Sequence, residues 1–323
     1  MSRDELIEYA LQSDIMKKWH YFQFHFSFYH KEIEHELCKS IINSCISCEL
    51  KIEGIAKNFI DRIASINGRV KQQSDYEQLL QILAELLIVE KTLSFEWENV
   101  REYKHEPTTG ESKKNPEVNI VTDNYTIGVE VKSPKIIDHM NIRASNPFQL
   151  PARSPIIDFY GKEHTTLPRD NPVKDFLISA DTKFKSFKET IPNYYGVLVI
   201  VWDDYIYEPI SSLLSEGSGL FTEASFYIDT DKNAVKFPNI DCVVLTRHLL
   251  QIIRGTRGEP LPDEVKTPLE YGDKTVFPFK VHIVNPASSV TIPDEVMQCF
   301  QTHEPSFMLG AEYSPTDQIT WFN

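Results

Sequence analysis

From residue 74 onward the apolar positions of the chain change period in an orderly way. Ser74, Asp75, Tyr76, Glu77 and Gln78 supply cap chemistry ahead of the run LLQILAELLIVEK, where Leu79, Ile82, Leu83 and Leu86 recur at helical spacing and predict a helix. Residues 95–104 (FEWENVREYK) read as a strand. Residues 116–132 (PEVNIVTDNYTIGVEVK) hold two runs rich in Val, Ile and Tyr on either side of Asp123 and Asn124, a dipeptide suited to a two-residue hairpin turn. Farther on, Leu177, Ala180, Phe184, Phe187 and Ile191 predict a second long helix over residues 173–190. The continuous apolar run YGVLVIVW at 195–202 fits a central strand covered on both faces. Residues 242–245 then predict a further strand leading into a short helix near Leu249. The expected fold class is therefore α/β (α+β), in the order αβββαβ, with a mixed central sheet flanked by helices.

The flanks read differently. In WHYFQFHFSFYH the alternation of Phe22, Phe24, Phe26 and Phe28 describes a strand with one buried face, and residues 31–64 look like one long helix. Residues 1–70 are expected to form an aromatic-rich, helical N-terminal extension, residues 71–255 the core, and residues 256–323 a C-terminal extension packed on it, with a short helix over 293–301. Within the core, residues 133–171 contain five prolines and little periodicity, and read as a long inserted loop. That loop carries Lys135, Arg143, Arg153, Lys162 and Arg169 against four acids, and could grip a substrate or be merely an insertion.

Composition narrows the setting. The chain has 323 residues, 41% hydrophobic and 25% charged, in keeping with one elaborated domain or two smaller ones. No apolar run approaches the roughly 20 residues of a membrane helix, and the start MSRDELIEYAL lacks signal-peptide character, so a cytoplasmic protein without membrane association is expected. Five cysteines then suggest reduced thiols. His35, Cys38, Cys45 and Cys48 invite a zinc reading, but on one straight helix Cys38 and Cys45 would stand about 10 Å apart and could not converge on a tetrahedral ion. Buried small side chains are the simpler account. His20, His25 and His30 invite a metal or base-stacking reading, which the strand pattern makes unnecessary. A net charge of −14 supplies no global attraction to nucleic acid, so any such binding has to come from a local basic groove or a basic partner.

The hairpin carries the most chemistry. With Asp123 and Asn124 as the turn, cross-strand partners sum to a constant, so Val121 faces Thr126, Val118 faces Val129, and Glu117 faces Glu130. Directly opposed like charges repel unless something compensates them, and a divalent cation is the obvious compensator. Lys132 shares a face with Glu130, while Val129 and Val131 point the other way, toward a core. Hard Mg²⁺ prefers carboxylate, carbonyl and water oxygens and keeps waters, one of which can act as nucleophile.

At these residues the chain resembles the PD-(D/E)XK nuclease superfamily, the restriction-endonuclease-like fold. Pro116-Glu117, a short hairpin and Glu130-Val131-Lys132 match its proline-acid pair followed by Glu-x-Lys, with twelve residues between the two glutamates. The first acid is usually aspartate, and Glu117 departs from that. The resemblance implies that Glu117, Glu130 and the Val131 carbonyl hold Mg²⁺, with Mn²⁺ as a substitute. It implies that Lys132 orients or deprotonates the attacking water. It also implies an acid on the preceding helix, for which Glu85 is the candidate and Glu77 and Glu90 the competitors.

On the second helix Lys174, Lys185 and Lys188, with Lys183 nearby, could meet phosphates, although a solvated helix face is the plainer reading. Lys185, Lys174, Arg143 and Arg153 are the substrate-binding candidates. The resemblance further implies a Mg²⁺-dependent nuclease that leaves a 5′-phosphate and a 3′-hydroxyl. DNA would be a better substrate than RNA, and the setting a restriction or anti-phage one, acting as a homodimer or with a partner protein. The alternative is a catalytically silent nuclease-fold module that binds nucleic acid or a protein.

Overall fold

The computed structural model describes the chain apart from residues 29–33, 67–72, 110–113, 146–147, 150–168, 204–206, 263–264, 274–279, 306–318 and 321–323; of residues 142–144, 148–149, 207 and 319–320 it describes only the backbone. In chain order the helices are α1 (Arg3–Gln12), α2 (Asp14–Lys17), α3 (Gln23–Phe26), α4 (Glu36–Glu49), α5 (Ile55–Ser65), α6 (Gln73–Ser94), α7 (Ile137–Ser145), α8 (Asp170–Thr190), α9 (Tyr207–Leu214), α10 (Leu249–Arg257) and α11 (Asp294–Phe300). The strands are β1 (Val100–His105), β2 (Val118–Thr122), β3 (Thr126–Lys132), β4 (Phe148–Gln149), β5 (Tyr194–Val201), β6 (Cys242–Thr246), β7 (Lys280–Val284) and β8 (Ile319–Thr320).

Six strands form one mixed sheet in the order β1-β2-β3-β5-β6-β7. The β1–β2 and β2–β3 pairs are antiparallel, β3–β5 and β5–β6 parallel, and β6–β7 antiparallel. Each parallel pair needs a crossover: α8 lies on the path from β3 to β5, and α9 on the path from β5 to β6. Side chains alternate across β5 and β6, which are buried throughout apart from Tyr195. Val197, Val199, Val201, Cys242 and Val244 join a core that includes α6, whereas Leu198, Ile200, Val243 and Leu245 join a second core under α8 and α9. The sheet is thus covered on both faces, which explains its near-continuous apolar strands.

Helix α6 is buried almost all round, from Tyr76 and Leu79 to Leu93. A helix apolar on every side needs cover on every side. The sheet covers one side of α6, and α4 covers the other through Leu37, Cys38, Ile41, Ile42, Cys45 and Cys48. The N-terminal helices therefore share one continuous core with α6 and the sheet. No helix among the described residues is long and apolar enough to cross a membrane.

Four sequence expectations need correction. The aromatic stretch is not a strand: residues 23–26 make a helical turn, with Phe26 and the preceding Phe22 buried and Phe24 64% exposed. Residues four apart share a face on a strand and on a helix alike, so the spacing of Phe22 and Phe26 fitted both structures. The expected single helix over residues 31–64 is interrupted at Gly54, whose φ of +83° suits glycine, and there the Glu49 carboxylate accepts hydrogen bonds from the Gly54 and Ala56 N–H groups at 3.1 and 3.0 Å. Strand β1 starts at Val100 rather than at residue 95, because the chain turns at Asn99 (φ 51°) while the Trp97 indole donates back to the Thr92 carbonyl at 2.8 Å. The inserted loop contains a helix, α7, whose first turn is tied to Glu77 through the Ile137 N–H at 3.1 Å.

Candidate active site at the open end of the hairpin

The β2–β3 hairpin fixes the site. Its register pairs Val118 with Val129 and Val121 with Thr126, as the sequence predicted. The Thr122 N–H donates to the Tyr125 carbonyl at 2.9 Å to close the turn, and the Thr122 hydroxyl oxygen accepts from the Asn124 and Tyr125 N–H groups at 3.2 and 3.1 Å. At the other end the expected pairing of Glu117 with Glu130 is not part of the ladder, which stops at Val118 and Val129, and Glu117 lies just outside β2. Its N–H donates to the Val129 carbonyl at 2.9 Å, and its carbonyl accepts from the Glu106 N–H at 2.8 Å. Its main chain is thereby held by the β1 end and by β3 together.

A side chain at position 128 would force a neighbour to move. A Cβ there would overlap the Tyr194 hydroxyl, which reaches across β3 to donate to Asn119 Oδ1 at 3.1 Å. This crossing keeps β2, β3 and β5 in register beneath the site. In the β3–β5 pair Glu130 stands opposite Leu198 and Lys132 opposite Ile200.

Glu130 is completely buried. Lys132 Nζ lies 2.7 Å from its Oε1, and Lys183 Nζ, from the middle of α8, lies 2.7 Å from Oε1 and 2.9 Å from Oε2. The same Lys183 ammonium is 3.9 Å from Glu117 Oε1, so it bridges the two glutamates. Val129 and Val131 turn into the core on the opposite face, which leaves the Val131 carbonyl as the group that residue can offer to a ligand.

A cavity of about 590 Å³ opens beside these residues, with Glu117, Lys132, Glu85, Arg62, Gln81 and Phe176 in its walls. Glu85 comes from α6 and Arg62 from α5, and their guanidinium and carboxylate form a two-pronged pair, Arg62 Nη2 to Glu85 Oε2 at 2.5 Å. The side chains of this pair are 29% and 10% exposed, so it is largely withdrawn from solvent. Its hydrogen bonds to Glu85 hold the Arg62 guanidinium above its ordinary pKa.

The electrostatics single out Glu117. Burial pushes its carboxyl up to about 9, helped by the nearby charges of Glu85 and Glu130 and opposed by Lys183 and Lys132. Formally the carboxyl groups of Glu85, Glu117 and Glu130 are matched by Arg62, Lys132 and Lys183, so burial rather than an excess of negative charge is the first cause at Glu117. The donor set fits a hard divalent cation: two carboxylates and a carbonyl, with room for the waters that Mg²⁺ keeps. Among the described residues no three His, Cys, Asp or Glu side chains stand close enough to hold a metal by themselves. The fit is therefore to a two-carboxylate site completed by water, with Glu85 engaged by Arg62 rather than turned toward the pair.

The remaining candidates lie elsewhere. Lys185 is 65% exposed and stands 4.0 Å from Glu189, and Lys174 pairs with Asp175 at 3.3 Å and sits over the Tyr227 ring. Lys188 binds the buried Asp241 at 2.6 Å. The Arg143 side chain and all of Arg153, Lys162 and His30 fall outside the described residues. Arg169, one of the loop's basic residues, is buried, binding Asp203 at 3.0 Å and Glu208 while lying 4.4 Å from the Trp202 ring centroid. Glu90 accepts from Ser47 at 2.9 Å, and His20 bonds the Ile63 carbonyl at 2.8 Å. All five cysteines are buried and unpaired with one another.

Sequence reasoning missed Arg62 as a partner of the site and treated Lys183 as part of a solvated face. Lys183 lies three residues after Ala180 and one before Phe184, which places it on the flank of the apolar stripe rather than opposite it. That spacing was the available signal. A scan against models of known protein families, a search of curated proteins and a search of solved structures each return no match for this chain.

Proposed function

We propose that this protein is a metal-dependent nuclease of restriction-endonuclease-like architecture, hydrolysing phosphodiester bonds at the open end of the β2–β3 hairpin. The observation that carries the reading is that Glu117 and Lys132 line one cavity while the buried Glu130 is ion-paired with Lys132 at 2.7 Å. With α7 and β4 taken as an insertion between β3 and α8, the order α6-β1-β2-β3-α8-β5 is compatible with the PD-(D/E)XK pattern.

Glu117, Glu130 and the Val131 carbonyl would hold Mg²⁺, or Mn²⁺ in its place. A bound ion of this kind polarises the phosphoryl oxygen and acidifies a water. The chain's own residues do the rest. Lys132, anchored on Glu130, aims its ammonium at the cavity, where it orients the attacking water. Burial of Glu130 fixes that ammonium's direction. Arg62 neutralises Glu85 and so keeps a third negative charge from repelling a polyanion. DNA in a restriction or anti-phage setting remains the favoured substrate and context, with a second copy or a partner protein able to supply the basic surface that a net charge of −14 lacks.

A second reading has an observation in its favour. Glu130 is ion-paired with two lysines and Glu85 with Arg62, a set of ion pairs compatible with a silent binding module. Incubation of supercoiled plasmid, linear duplex, single-stranded DNA and RNA with Mg²⁺ or Mn²⁺ separates the two. Metal-dependent cutting that is lost in Lys132→Ala and Glu130→Ala establishes the nuclease. Absence of cutting on every substrate, with no Mn²⁺ binding at the two glutamates, favours the module.

A further inference from the structure

Lys183 does something that neither a solvated helix face nor a core lysine would do. It leaves the flank of α8, where Leu177, Ala180, Phe184 and Phe187 pack on the sheet, and its ammonium enters the gap between the two glutamates. There it is shared between both Glu130 oxygens at 2.7 and 2.9 Å and approaches Glu117 at 3.9 Å. Lys132 already occupies one side of Glu130 Oε1 at 2.7 Å. The second ammonium therefore takes up the part of the carboxylate pair that Lys132 leaves open. Its side chain is 19% exposed, which leaves it a route out toward solvent along a flexible four-carbon stem.

We infer that Lys183 is a built-in counter-ion that occupies the divalent-cation position between Glu117 and Glu130 and must swing out before a metal can bind. The inference rests on the two-glutamate metal site proposed above. Its chemistry is competition of like charges for the same oxygens. A cation using Glu130 Oε1 would otherwise share that oxygen with two ammoniums, and repulsion among three positive groups is relieved most simply by withdrawal of the lysine that does not belong to the hairpin. Lys132 is fixed two residues from Glu130 on the same strand, whereas Lys183 comes from a separate element and can leave without disturbing β3. The device keeps the buried Glu130 carboxylate compensated when no metal is present, and it sets the metal concentration at which the site loads. Lys183 is thus a positioning residue that acts through the glutamates.

The test is Mn²⁺ binding to the full chain, measured by isothermal titration calorimetry and by the paramagnetic signal of free Mn²⁺. Lys183→Met keeps the stem and removes the charge, and should bind Mn²⁺ at least about tenfold more tightly than wild type, in line with what one neighbouring charge does to a carboxylate site. Lys183→Arg keeps the charge and should show no such gain. If Lys183→Met does not fold, Lys183→Gln, which retains a hydrogen-bond donor without the charge, carries the same expectation. A purely structural lysine would leave metal affinity unchanged or weaken it. Equal or weaker binding in the neutral variants, with wild type binding Mn²⁺ in a manner abolished by Glu117→Gln, overturns the inference while the metal site stands. Absence of Mn²⁺ binding in wild type and in every Lys183 variant overturns the metal site itself, and the inference with it.

Discussion

Replacing Glu117 by glutamine should stabilise the metal-free protein at neutral and alkaline pH, because the native fold holds that carboxyl in a place that disfavours its charge. The carboxyl is raised from an ordinary 4.5 to about 9, first by burial and then by Glu85 and Glu130. An acid whose folded pKa lies above its unfolded pKa binds more protons when folded, so its contribution to stability falls as pH rises between those two values. Each pH unit in that window costs about 1.4 kcal/mol, and pH 7 lies about 2.5 units above 4.5, so the loss by pH 7 is on the order of 3 kcal/mol. Urea denaturation in EDTA at pH 5.5, 7 and 8.5 measures it. Wild type should lose stability relative to Glu117→Gln at each step, because subtraction of the two curves removes the titrations they share. Added Mn²⁺ should reverse the order at pH 7, since the cation binds the native wild-type site and stabilises it by mass action. Parallel pH profiles for wild type and Glu117→Gln would refute the reasoning, as would a glutamine variant that is the less stable at pH 8.5 in EDTA.

Four other expectations rest on the same structure. Gly128→Ala should destabilise by about 3 kcal/mol, because its Cβ would displace the Tyr194 hydroxyl from its crossing of β3; thermal melting checks this. Arg62→Met should cost about 3 kcal/mol by leaving Glu85 unpaired in a mostly buried place, and Glu85→Gln introduced with it should recover part of the loss, as read from a double-mutant cycle in urea. Burial lowers His248 to about 3 and His25 to about 4, so each takes a proton more readily when unfolded, and stability should fall as pH drops from 6.5 toward those values; the acid limb should flatten in His25→Phe. The five cysteines are all buried, and burial pushes the Cys242 thiol up to about 12, so a thiol reagent should leave the native protein unmodified and label all five in denaturant.

Much of this arrangement was legible in the chain. The hairpin register came from two residues, Asp123 and Asn124, because a period of two makes every cross-strand partner a matter of counting. The burial of β5 came from its continuous apolar run, and the helices α6 and α8 from apolar residues at helical spacing. What escaped was decided by contacts between segments distant in sequence. Arg62 is 23 residues from Glu85 and reaches it only because α5 packs beside α6. Lys183 is 53 residues from Glu130, and its role depends on α8 crossing the sheet at that point. The aromatic stretch around Phe22 and Phe26 was misread because two periods share the same positions. The break at Gly54 had a signal in the chain, a glycine within an apolar pattern that can end a helix by adopting positive φ.

The most direct test of a phosphodiesterase centre at this hairpin is the single-turnover cleavage rate of Lys132→Ala beside wild type, on whichever nucleic acid wild type cuts best, at saturating Mg²⁺. A lysine that orients or deprotonates the attacking water predicts a loss of about 10²-fold or more with Mn²⁺ binding not weakened. Cleavage by Lys132→Ala at the wild-type rate would contradict the account.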